Sequence, residues 1–313
     1  MNIAFIDPLS RAWNRMTTAL FRPFDIGKWF VVGFTAFLAG LTDGPNGGGS
    51  GGGNGKGRFN FDEVIDFPHT AWDWLMDNSL WFTLIILGVF FLIFLIVLFT
   101  WLSSRGKFMF LDNVVHNRAK VTQPWYEYKR EGNSLFLWRL VFSLICIAVF
   151  ILLAIQIFIL VTDIYEQSYS RHIPILSIVG MGLLTLLIIL TIAYISLFLD
   201  AFVVPIMYKH NVTTTQAWGR FLPILSQHWF YFIGYGLLML FLYILAFIVV
   251  IMAGFFTCCI GIILLIIPYI NSVVTLPISY TFRAFGPEFL AQFGSEFDVF
   301  PHPENLPGSI AEQ

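Results

Sequence analysis

An aspartate interrupts the apolar run "LTIAYISLFLDAFVVPIMY" at position 200, and a proline follows at 205. A carboxylate inside a membrane-length apolar stretch is costly unless it is paired or serves a function. Proline removes a backbone donor and crowds the carbonyl four residues earlier, here that of Ala201. A carboxylate beside a broken helix can hold an ion or a polar substrate. The same residues also suit a structural role, with Asp200 at a membrane interface pairing with Arg139, Arg105 or an interfacial tryptophan. Both readings stay open. Asn271, between Pro268 and Pro277, is placed to satisfy carbonyls freed by kinks. Asp200, Pro205, Asn271 and Arg139 together form the candidate intramembrane polar site.

Other reactive patterns are sparse. "GGGSGG" at 47–52 satisfies G-x-G-x-x-G, yet no strand–turn–helix frame surrounds it, so it reads as flexible linker rather than a phosphate loop. His116, His210 and His228 lack the close spacing of a zinc site. Cys146, Cys258 and Cys259 lie inside apolar runs and form no redox or metal pair. No nucleophile elbow, HExxH or paired catalytic carboxylates occur. The expectation is a protein without enzymatic activity, cofactor or metal. A net charge of −2 gives no basic footprint for nucleic acid.

The elements that carry these residues follow from composition. The 313 residues are 58% hydrophobic and 12% charged, about half the usual charged fraction. A soluble fold cannot hide that much apolar surface. Six runs approach the roughly 20 residues that cross a bilayer: 24–41, 80–102, 135–161, 173–199, 229–253 and 255–282. With the N-terminus on the cytoplasmic side, the outer segments hold only Lys56, Arg58 and Arg171 of the 17 lysines and arginines. That bias predicts both termini cytoplasmic. The Gly-rich loop 44–59 then lies outside, followed by a short acidic amphipathic helix on the outer surface.

The chain also repeats itself. "SRAW…KW" from Ser10, "TQPW…LW" from Thr122 and "TQAW…HW" from Thr215 each place an amphipathic stretch between two tryptophans just before a span. The even-numbered spans end alike: "FLD" occurs at 110–112 and 198–200, and "VVPIMY" at 203–208 resembles "TLPISY" at 275–280. The fold class expected is therefore all-α: six transmembrane helices as three parallel-repeat hairpins, each preceded by an interfacial elbow helix. In the first elbow, Trp13, Met16, Leu20 and Phe21 are expected to face lipid, with Arg15 and Arg22 toward phosphates. Residues 1–283 form the membrane domain. Residues 284–313 form a cytoplasmic tail, amphipathic through Phe285, Phe289 and Phe293 and then partly disordered.

The six spans, the elbows before odd spans and the proline near even-span ends resemble the integral-membrane domain attached to some bacterial glycerophosphodiester phosphodiesterases. No phosphodiesterase catalytic domain accompanies it here. The resemblance implies a multi-pass protein of a bacterial inner membrane. The functional expectation is a non-catalytic scaffold or accessory subunit of an envelope process, embedded in the lipid bilayer and meeting protein partners at its cytoplasmic face. The alternative is a transporter or channel for a small solute, ion or lipid.

Overall fold

The computed structural model describes residues 3–42, 74, 76–166, 175–256 and 267–300. The Gly-rich loop 44–59, nearly all of the acidic segment after it, Cys258, Cys259 and the tail beyond residue 300 fall outside the described residues. The helices are α1 (Ile6–Phe21), α2 (Ile26–Gly40), α3 (Ser79–Val115), α4 (Thr122–Glu127), α5 (Lys129–Glu166) and α6 (Ile175–Phe198). A π-helical turn (Leu199–Val203) leads into α7 (Val204–His210), then α8 (Thr214–Gln227), α9 (Trp229–Phe256), α10 (Pro268–Val274) and α11 (Leu276–Leu290). No strand occurs among the described residues.

Among the described residues, four helical segments are long and apolar enough to cross a membrane: Ser79–Val115, Lys129–Thr162, Ile175–His210 and Trp229–Phe256. The protein is an all-helical membrane protein. α2 has 15 residues, about 22 Å of helix, short of the ~30 Å hydrocarbon core. Leu, Ile, Val and Phe crowd the outer lengths of the four segments, where Leu87, Phe90, Leu152, Leu187 and Phe247 are all exposed. In lipid such surfaces are at home, and the helix satisfies its own backbone.

α3 shows how the fold is built. Its 37 residues extend about 55 Å, well beyond one hydrocarbon layer. The first part is apolar and exposed, whereas every residue from Ser103 to Val115 is buried. "SSRGKFMFLDNVV" reads in the sequence as a basic cytoplasmic loop. The structure instead makes it the central post of a packed hub at one end of the four long helices. α2 runs beside this post, and Ser103 Oγ donates to Ala39 O at 2.8 Å. The approach requires glycine at position 106, where a Cβ would lie 2.6 Å from Ala39 N and Leu38 C.

The hub gathers the ends of three helical segments, 103–115, 198–208 and 276–290, with short helices around them. Phe202 stacks on Phe221 and meets Phe232 and Tyr235, with ring centroids 5.2, 5.1 and 4.8 Å away. Two local caps set the surrounding helices. The Asp25 carboxylate accepts from the amides of Gly27 and Lys28 at the start of α2, and Thr213 with Gln216 forms a capping box on α8.

Two sequence expectations change here. In α1 the face made by Ala12, Met16, Ala19 and Leu20 is buried along α11, not in lipid, while Trp13 and Phe21 stay exposed. Arg15 pairs with Glu288 at 2.5 Å, as does Arg11 at 2.8 Å. The boundary at 283/284 falls inside α11. Ala284, Phe285, Phe289 and Leu290 are fully buried, and Phe297 and Phe300 also enter the core. The phenylalanine stripe exists as read, but it meets Phe232 and Tyr235 rather than the bilayer surface. An apolar helical stripe has the same pattern whether its partner is lipid or protein.

Candidate functional site

Pro205 has no N–H to donate to the fourth residue before it, and the chain answers with the wider π-helical turn Leu199–Val203. Asp200 sits in this turn. Its carboxylate accepts from Lys107 Nζ at 2.5 Å. The Lys107 side chain is 2% exposed, the Asp200 side chain 31%. From the third helix end, Arg283 donates through Nη2 to Lys107 O at 2.6 Å and through Nη1 to Asp200 O at 3.4 Å. Lys107, Asp200 and Arg283 come one from each of the three segments that meet in the hub. Their contacts fix those segments against one another.

The sequence-predicted residues separate. Asp200 and Pro205 share one turn. Arg139 bonds Ser103 Oγ at 3.1 Å and Thr42 Oγ1 at 2.6 Å. Arg105 lies over the rings of Trp101 and Trp125, 4.5 and 4.8 Å from their centroids, and binds Asn133. The partner of Asp200 is thus Lys107, not the arginines or the tryptophan weighed from sequence. Asn271 lies on α10, which packs on α2. Its carbonyl accepts from Thr275 N and Oγ1, both at 2.8 Å.

A second charged node escaped the sequence reading. Asp112 is fully buried. Arg118 grips it with Nε and Nη2 at 2.7–2.9 Å. The Tyr208 hydroxyl donates to it at 2.9 Å, and His116 Nδ1 lies 3.1 Å away. Burial works against the Arg118 guanidinium, yet its bond and charge contact with Asp112 more than offset this and raise its pKa. The Tyr128 ring lies 4.8 Å from that of Tyr208, and burial pushes the Tyr128 phenol up. The repeated "FLD" was the available signal. Both aspartates, Asp112 and Asp200, end this tripeptide and both take a basic partner. Among the described residues, no group of three His, Cys, Asp or Glu is placed to hold a metal ion.

The Asp112 node has a measurable weight. Asp112→Ala leaves the Tyr208 hydroxyl without its buried acceptor and should cost about 2–3 kcal/mol. Asp112→Asn retains an acceptor and the shape, and should cost about half as much. Chemical unfolding of the purified chain in mixed micelles would show the ordering.

No curated protein and no solved structure matches the chain in these comparisons. One family model does match, over residues 3–293, which include α1 to α11 and both charged nodes. The chain therefore belongs to the family described as a family of unknown function, DUF7544.

Proposed function

We propose that this protein is a non-catalytic integral membrane scaffold, or an accessory subunit of an envelope process. The reading rests on how the hub charges are used. Lys107, Asp200 and Arg283 bond one another, Glu288 takes Arg11 and Arg15, and Asp112 takes Arg118. Such groups fix helix ends in register and leave a rigid face for a partner.

The proposed topology is six crossings as three parallel hairpins. The six apolar runs and the tryptophan-bracketed stretch before each odd-numbered run support it. The hub carries most of the lysines and arginines, which supports placing it and both termini on the cytoplasmic side. The resemblance to phosphodiesterase-attached membrane domains supports a bacterial inner membrane.

A second reading, a transporter or channel, is favoured by one observation. π-Helical turns often mark functional sites, and Asp200 in this turn keeps 31% of its side chain exposed. Two assays separate the readings. The scaffold reading predicts a protein partner at one copy per chain after native purification, retained by Asp200→Asn. Solute flux in proteoliposomes, abolished by Asp200→Asn at unchanged expression, would overturn it in favour of transport.

A further inference from the structure

After α11 the chain stays on the hub. A 3-10 turn (Ala291–Phe293), Gly294 and a second 3-10 turn (Ser295–Phe297) lead into a strap, residues 294–300, that touches the end of α7 and the side of α1. The strap is held as a bound peptide is held. Lys209 Nζ, on α7, donates to Ser295 O at 2.9 Å and to Asp298 O. Both bonds take main-chain oxygens. Phe297 and Phe300 supply the anchors, at 6% and 4% exposure within the hydrophobic core. The Arg15 guanidinium on α1 lies 3.8 Å from the centroid of the Phe300 ring. Main-chain hydrogen bonds for affinity and side-chain pockets for specificity are the means by which extended peptides are recognised.

Three observations make the strap an occupant of this face rather than part of its wall. First, it is locally built. Phe297 N bonds Gly294 O, Asp298 N bonds Ser295 O and Phe300 N bonds the Asp298 carboxylate, while Gly294 turns the chain at φ 157°. Two buried phenylalanines must offset the ordering of seven residues, which places the strap at the low-stability end of the fold. Second, the charges are complementary. Glu296 shares the surroundings of His210 with Lys209 and Arg220. Third, the family match covers the receiving side chains Arg15 and Lys209 and ends at residue 293, just before the strap.

We infer that the hub face between α1 and α7 is a peptide-recognition groove closed in cis by the strap, and that its ligand in trans is an acidic segment with two aromatic side chains three residues apart. This rests on the scaffold reading and names the class of partner segment that the scaffold takes. Release of the strap frees the two anchor pockets and the Lys209 donors together.

Peptide binding tests this on the full chain in mixed micelles. The probe is a fluorescent synthetic peptide of residues 294–301, "GSEFDVFP". Phe297→Ala/Phe300→Ala strips the strap of its anchors and leaves the groove intact, so this variant should bind the peptide at least about tenfold more tightly than the unaltered chain. Adding Lys209→Met should weaken that binding about tenfold, through loss of two charge-assisted bonds. A peptide with both phenylalanines replaced by alanine should bind neither protein. Hydrogen exchange of the unaltered chain gives a second readout that needs no variant. The amides of Phe297, Asp298 and Phe300 should exchange at least about a hundredfold faster than those of 280–289, and faster again with saturating peptide. Equal affinity of the two chains, no binding by a variant with an unchanged gel-filtration profile, binding that survives loss of the peptide's phenylalanines, or a strap that exchanges as slowly as α11 would each overturn the inference. Those outcomes strike the groove alone, whereas solute flux abolished by Asp200→Asn strikes the scaffold reading itself.

Discussion

Replacing Asp200 with alanine should cost about 3 kcal/mol of hub stability, because Lys107 then remains as a buried charge without its carboxylate. Lys107→Met should cost half as much or less. The asymmetry follows from exposure: Lys107 is 2% exposed, whereas the Asp200 side chain keeps 31% and can return to water. The double variant Lys107→Met/Asp200→Leu removes both charges and should recover most of the loss, since a buried pair often exchanges for apolar residues at little net cost. A double-mutant cycle by chemical unfolding in mixed micelles measures all three. Additive losses, or a larger cost for Lys107→Met, would show that the pair does not hold the hub.

Gly286→Ala should be at least as damaging. A Cβ at 286 would lie 2.4 Å from Ala201 O and 3.0 Å from Ala201 Cα. Both are backbone atoms of the π-helical turn and cannot swing aside as a flexible side chain would. α11 must then retreat, taking the flanking Phe285 and Phe289, both fully buried, from their contacts with Tyr235 and Phe202. The expected cost is about 3 kcal/mol, at the upper end for overpacking. Gly219→Ala provides the comparison. It lies inside α8 with nothing within 4 Å of its Cβ position, and should be stabilising by about 0.5–1 kcal/mol. Equal behaviour of the two glycines would contradict close packing of α11 on the turn.

Much of this was legible in the sequence, for reasons that can be traced residue by residue. Long runs such as 80–102 admit little besides a membrane helix, because length and apolarity suffice. Pro205 announced a disturbed helix, and the structure shows its form as a π-helical turn. Asp200 stood out because a carboxylate in an apolar run needs an explanation.

Its partner was hidden. Lys107 sits in "SSRGKFMF", a segment whose charges suggest solvent, and only the convergence of three helix ends buries it. Composition marks a segment as polar without showing whether its polar groups face water or one another. Glu288 was concealed in the same way, between phenylalanines that read as a surface stripe. The arginines that hold it, Arg11 and Arg15, lie more than 270 positions away in sequence. Asp112 carried a weak signal in the repeated "FLD", which becomes informative once both copies are seen to end at an ion pair. Pairings over such separations depend on tertiary contacts that local periodicity does not encode.

The central claim is that the hub lies at one face of the membrane and the far ends of the long helices at the other. Single-cysteine labelling in a background lacking Cys146, Cys258 and Cys259 tests it directly. Ser79→Cys reports the start of α3, Asn117→Cys the loop after it, and Asn211→Cys the end of α7; all three positions are exposed. A membrane-impermeant maleimide added to sealed, oriented vesicles should label 117 and 211 from one side and 79 only from the other. Labelling of 79 and 117 from the same side would contradict the account.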